Sequence, residues 1–256
     1  MIDDLGYNAQ IGRQLVEFPG DLTLAILPFT PHGRDLAELA ASLDKEVMIH
    51  APMSNSRDLP LGPGALESDL SEAEFGAHLN AMLQDLPQAQ GLNNHMGSQL
   101  TEELVPMNWL MRTLMERKLY FVDSRTSARS LALQTARLWQ VPGTKRDIFL
   151  DNQRNSAHIT QQLHKALALA QRRGRALAIG HPYPETLEAL QELPALLATY
   201  NVRLVKTSKL LKPPRPVAMA CPAPPVLLWR RVNTQVPSAD NLSSENLPSE
   251  RFGYEY

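Results

Sequence analysis

Two adjacent carboxylates, Asp3 and Asp4, stand between an apolar start and a glycine in the run Met1-Ile2-Asp3-Asp4-Leu5-Gly6-Tyr7. Neighbouring side chains on a strand point to opposite faces, so the pair can share a site only where the strand ends and the backbone turns. There, one carboxylate can hold a metal while the other takes a proton. Alone, the run reads equally as a solvated turn ahead of a helix capped by Asp4 or Asn8. Three histidines change that balance, because His50, His95 and His181 each follow an expected strand, whereas His32, His78, His158 and His164 fall on helical stretches or loops. Asn93, Asn94, Asp123 and Asp151 also stand at expected strand ends. In a parallel α/β protein those ends line one common face, where active sites are built.

One carboxylate and two neutral imidazoles suit a borderline ion such as zinc and leave a position open for water. Such an ion activates water near neutral pH and polarises a carbonyl. The second carboxylate can take the water's proton, and a further histidine can deliver one to the leaving group. This inventory fits metal-assisted hydrolysis of an amide or ester. Nucleotide binding is not indicated, since no Walker-type loop occurs and no G-x-G-x-x-G follows a strand. Phosphoester hydrolysis is disfavoured because no Arg/Lys cluster accompanies the metal-type residues in sequence.

The elements that must position these residues alternate along the chain. Apolar runs predict strands at the start and over 22–27, 45–50, 90–94, 119–123, 147–151, 176–180 and 202–205, and helical periodicity covers about 8–17, 33–43, 71–85, 102–117, 156–173 and 184–198. Ser71 and Glu74 form a capping-box signature. Strand and helix in alternation without tight hairpin signals mean parallel strands joined by crossovers. Seven or eight such units favour an α/β fold that closes into a barrel or nearly closed barrel over an open sheet.

From residue 212 the composition changes: six prolines fall between Pro213 and Pro225, and the stretch to Tyr256 is rich in Ser, Asn and Glu. The expected organisation is one domain over 1–211 and a disordered, Pro-rich tail over 212–256, with Val226 to Trp229 a possible short docking segment. The net charge of −2 without a basic stripe argues against a nucleic-acid partner. The single cysteine, Cys221, allows no disulfide framework. There is no signal peptide or long apolar span, so the chain taken literally is cytoplasmic. Only Met1 and Ile2 precede Asp3, however, whereas a buried strand normally supplies about five or six residues. We therefore expect a longer natural product that carried an export signal. Oligomeric state is not legible.

Six ordered motifs resemble one family. Ile2-Asp3-Asp4-Leu5-Gly6, His50-Ala51-Pro52-Met53, Gly91 through His95 to Ser98, Val122 through Asp123 to Ser127, Arg146 through Asp151, and Gly180-His181-Pro182-Tyr183-Pro184-Glu185-Thr186 look like those of the divergent polysaccharide deacetylases of bacterial envelopes, over about 1–211. The resemblance implies a distorted (β/α) barrel, a divalent metal with zinc the first expectation, a carbohydrate substrate, and a periplasmic or envelope location. It implies Asp3 as general base, Asp4 and His50 as metal ligands, and His181 as the group that protonates the leaving amine. Ordinary deacetylases take another ligand from a histidine four residues after the first; here that position is Ser54, and His95 is the expected replacement. Asn94, Asp123 and Asp151 are expected to contact substrate or support the ligands. A non-catalytic carbohydrate-binding or envelope-assembly protein is the alternative that the missing second histidine supports.

Overall fold

A computed structural model describes residues 1–211. The expected tail over 212–256, including Val226 to Trp229, lies outside the described residues. Among the described residues, eight strands and eight α-helices follow one another as β1 Ile2–Leu5, α1 Ala9–Val16, β2 Thr23–Ile26, α2 Gly33–Ser42, β3 Glu46–Met53, α3 Glu72–Asp85, β4 Gly91–Met96, α4 Leu104–Arg117, β5 Tyr120–Asp123, α5 Ala132–Leu138, β6 Gly143–Lys145, β7 Ile148–Phe149, α6 Ser156–Arg173, β8 Ala178–Ile179, α7 Pro184–Leu190 and α8 Leu193–Thr199. Strands β1 to β6 pair in chain order and β7 pairs β8, every ladder parallel, as the alternating pattern requires. A parallel bridge between Ile2 and Gly180 joins β8 to β1. Among the described residues no ladder links β6 to β7, although they are consecutive in the chain.

Local chemistry explains the helix boundaries. The Asn8 side chain accepts the Ile11 N–H at 3.0 Å and starts α1, Ser71 and Glu74 form a reciprocal capping box on α3, and Gly174 ends α6 in the left-handed region. The buried residues of α4, Met107, Leu110, Met111 and Leu114, recur at helical spacing. Where one helix was expected over 184–198 there are two, because Pro194 opens a new first turn and cannot continue the old one. The run 202–205, expected as a strand, is irregular and leads into a 3-10 turn at Thr207–Leu210. Both edges of β8 are already taken, by β7 and by the β1 bridge, so that run finds no free edge there.

Strand residues alternate between two buried layers. Leu24, Ile26, Val47, Ile49 and Phe121 join the large cluster with the helices, while Met1, Ala25, Met48, Tyr120, Val122 and Ile179 form a second, smaller cluster. Burial on both faces is why these strands read as continuous apolar runs. The smaller cluster sets the position of the site. Two residues further along the same strands, on the same face, come Asp3 after Met1, His50 after Met48, Ser124 after Val122 and His181 after Ile179. Polar residues thus form the next layer above an apolar floor.

Among the described residues no helix is long and apolar enough to cross a membrane.

Candidate functional site

The two carboxylates reach one site by a route the sequence does not announce. Ile2 pairs with Leu24 and Leu5 with Ile26, so three steps on β1 oppose two on β2. The extra residue is a bulge, and Asp4 within it has φ of 56°. A left-handed non-glycine residue breaks the alternation of side chains, and Asp3 and Asp4 both line the same cleft. They do so inside β1, not at its end as expected.

His50 and His95 also lie within strands, which corrects the expectation that they directly follow them. The β3 strand continues through Pro52 to Met53. Pro52 is tolerated because its carbonyl bonds the Leu66 N–H, so the side on which its own N–H is missing faces the loop and not β4. The last β2–β3 pair is Ile26 with Ile49, so His50 stands one step beyond the common sheet, opposite Asn93 of β4. His95 follows two residues after Asn93 and shares its face.

These placements bring three donor atoms together. Asp4 Oδ1 lies 3.0 Å from His50 Nε2 and 2.8 Å from His95 Nδ1, and the two nitrogens are 3.1 Å apart. Donors held 2.0–2.1 Å from one ion stand roughly 3.0–3.4 Å from each other. Asp4 Oδ1 is buried and makes no well-directed hydrogen bond. Burial works to raise the Asp4 carboxyl, but the two imidazoles outweigh it and hold it well below the usual carboxylate range. One carboxylate oxygen and two imidazole nitrogens converging on a point are a donor set that fits a divalent ion such as zinc.

Asn93, expected only among the polar strand ends, ties His50, Asp3 and Ser124 together. Its amide donates to Asp3 Oδ2 at 2.9 Å and to Ser124 Oγ at 3.0 Å, and its Oδ1 faces His50 Nδ1 at 2.9 Å. With its donors spent on Asp3 and Ser124, that oxygen must accept, which puts a proton on His50 Nδ1 and turns Nε2 toward Asp4. Burial lowers the His50 imidazolium, but Asp3, Asp4 and Asn93 together push it up to about 9. Burial raises the Asp3 carboxyl against the pull of His50 and His181. Its Oδ1 is buried without a hydrogen-bond partner.

His181 follows β8 and faces the same cleft, its Nε2 3.9 Å from Asp4 Oδ2. Asp151 stands behind it, meeting His181 Nδ1 at 2.8 Å and accepting the His181 backbone N–H and the Thr186 hydroxyl. Burial depresses the His181 imidazolium, and Asp151, followed by Asp4 and Asp3, more than offsets it, so the net shift is upward. Asn94 lines the cleft, and its Oδ1 accepts the Ser124 N–H. Asp123 does not line it. Its carboxylate accepts the Arg125 N–H and the Ser130 hydroxyl and so organises the loop after β5. Ser54, where a second histidine would stand, is committed to structure: its hydroxyl accepts the Ser68 N–H and its carbonyl the N–H groups of Gln99 and Leu100.

The cleft, of about 490 Å³, also receives three arginines, Arg57, Arg125 and Arg146. No basic cluster stands beside the metal-type residues in the sequence because these three lie on separate loops; the fold gathers them. Arg146 is the one with a local signal, since it opens the segment that ends in Asp151.

Comparison with known proteins identifies the family. The sequence profile of the divergent polysaccharide deacetylases matches residues 1–211. Uncharacterized protein YibQ of Escherichia coli K12 is 37% identical over 215 residues, which is 84% of this chain and 67% of the relative. The crystal structure of uncharacterized protein ATU2773 from Agrobacterium tumefaciens C58 has a TM-score of 0.77 at 21% identity and covers 82% of this chain and 86% of that one. A more distant fold likeness is to BA3943, a CE4 family pseudoenzyme from Bacillus anthracis, with a TM-score of 0.51 at 12% identity over 82% of this chain and 64% of that one. These two structures bear on the fold alone. With the profile spanning every described residue and a curated relative this similar, the chain belongs to the divergent polysaccharide deacetylase family.

Proposed function

We propose that this chain is a metal-dependent hydrolase that removes N-acetyl groups from carbohydrate of the bacterial envelope. The observation that carries the reading is the convergence of Asp4 Oδ1, His50 Nε2 and His95 Nδ1 in a cleft that Asp3 and His181 also enter. Asp4, His50 and His95 would hold a divalent cation, with zinc favoured by one carboxylate and two imidazoles. When bound, such an ion polarises an amide carbonyl and makes water a better nucleophile.

The chain's own residues do the rest. Asp3 takes the proton of the attacking water: Asn93 fixes its Oδ2, while Oδ1 has no competing partner. Burial makes this carboxylate more basic than a solvated one, which suits a general base. His181 gives a proton to the departing amine through Nε2, because Asp151 holds Nδ1. The upward pull of Asp151, joined by Asp4 and Asp3, favours the acidic form of His181 that this step needs. Asn94 shapes the cleft wall, and Asp123 supports it through the loop after β5. An envelope location accords with such a substrate.

Two measurements on the same preparation test the reading: metal content after dialysis, and acetate released from N-acetylated glycan oligomers. Near one equivalent of metal with acetate release is expected. A second reading, a carbohydrate-binding protein without catalysis, is favoured by Ser54 in place of a second histidine. It becomes the better account if the protein binds glycan and holds metal yet releases no acetate across the panel.

A further inference from the structure

Resting on the deacetylase reading of the site, we propose that the substrate glycan carries an anionic group, a carboxylate or a phosphate, and that Arg57, Arg125 and Arg146 bind it. The charges that line the cleft are divided. Among the described residues, the acids that line it are Asp3 and Asp4 alone, both at the imidazole cluster, and every other formally charged lining residue apart from the histidines is an arginine. A cleft for a neutral acetylated sugar needs uncharged polar groups, which Ser56, Ser98 and Thr126 along its wall already supply. Three guanidinium groups exceed that need.

Arg146 is the most telling of the three. Its side chain is half-buried between β6 and β7, donates to the carbonyls of Ser124 at 2.7 Å and Arg125 at 3.0 Å, and lies 4.7 Å over the Phe149 ring. Among the described residues no carboxylate comes within ion-pairing distance of it. A cation taken partly out of water without a direct ion pair is costly: burial pulls the Arg146 guanidinium down, and the more distant charges of Asp3 and Asp123 do not make up for it. A ligand's anion removes that cost. Arg125 is tethered to the Ala128 carbonyl at 3.0 Å and stands 3.8 Å from Asp123, a weak pairing that leaves most of its fork available. Arg57 is exposed on the loop after β3 and forms no ion pair among the described residues. Guanidinium forks match carboxylate and phosphate oxygens in pairs, which explains arginine here in place of lysine.

The test is binding to three oligomers of one length and N-acetylation, one neutral, one bearing a carboxylate and one a phosphate monoester. Affinity is measured by calorimetry on the metal-free and zinc-loaded full chain, at two salt concentrations. The variants are Arg57→Gln and Arg125→Gln, with Arg146→Gln added and melting temperature recorded for each. The expected result is at least tenfold tighter binding of a charged oligomer than of the neutral one in both metal states. The preference should weaken at higher salt and fall about tenfold in a single variant that melts like the parent. Which charged oligomer wins distinguishes carboxylate from phosphate. Equal affinity for all three, no detectable binding of either charged oligomer, or a preference unchanged in Arg57→Gln and Arg125→Gln overturns the inference. Acetate release is scored separately: release from the neutral oligomer with no charge preference leaves the hydrolase standing without this inference, and charge-selective binding without any release does the reverse.

Discussion

His50 and Asn93 are register partners across β3 and β4, and their side chains meet at 2.9 Å with the imidazole Nδ1 against the amide oxygen. The same amide reaches Asp3, so one fully buried side chain aligns both a proposed ligand and the proposed base. Asn93→Ala should leave the Nδ1 proton of His50 and an oxygen of Asp3 without partners. Unsatisfied buried polar groups cost about 1–3 kcal/mol. Chemical denaturation should show a loss of that order, and metal affinity should fall with it, by about 10- to 100-fold as for other residues that orient ligands.

The donor cluster itself makes a sharper prediction. Asp4→Asn and His95→Ala should each lower the zinc retained after dialysis against a weak chelator, whereas Ser54→Ala should not, because Ser54 bonds the chain and not the cleft. Metal analysis of the three variants beside the parent decides it. Full retention by His95→Ala would remove His95 from the ligand set.

Asp3→Asn separates proton transfer from metal binding. The amide keeps the shape of the carboxylate but cannot take a proton, so metal content should hold while the rate of acetate release drops by about 10²–10⁴-fold, the usual contribution of a general base. A variant as fast as the parent would assign the base elsewhere.

Asp151→Asn should act through His181. Burial lowers the His181 imidazolium, and with the Asp151 charge removed only the smaller upward pulls of Asp4 and Asp3 oppose it. His181 works in its protonated form, so the alkaline limb of the rate profile should move to lower pH, with a rate loss of about tenfold or more at neutral pH. The acidic limb, set by Asp3, should stay in place. An alkaline limb that does not move would mean that His181 is not the acid.

How much of this the sequence discloses follows from the kind of signal each residue carries. The alternation of apolar runs and helical periodicity made the parallel α/β layout legible, because burial on both faces writes itself into composition. His181 was legible because it directly follows β8. His50 and His95 were found for a reason the structure corrects: both sit inside longer strands, and what marks the edge of the site is the end of β2 at Ile26. Arg125 and Arg146 are separated by 21 residues, and Arg57 lies far from both, so no local window could unite them. Short β6, with the polar run Gly143-Thr144-Lys145, carries no periodicity to read. The run 202–205 shows the converse: its apolar residues promise a strand, but a strand needs a vacant neighbour, which lies outside any local pattern.

The extra residue in β1 makes the site depend on strand phase as well as on residue identity. Only Asp3 and Asp4 stand between Ile2 and Leu5, so shortening the strand to restore even pairing with β2 would necessarily remove one of the two carboxylates. A relative that keeps both aspartates but pairs them in even register would present only one of them to the cleft, because side chains on an unbulged strand alternate between faces. Within a family of shared architecture, the register around the paired aspartates is then a better index of competence than the aspartates themselves.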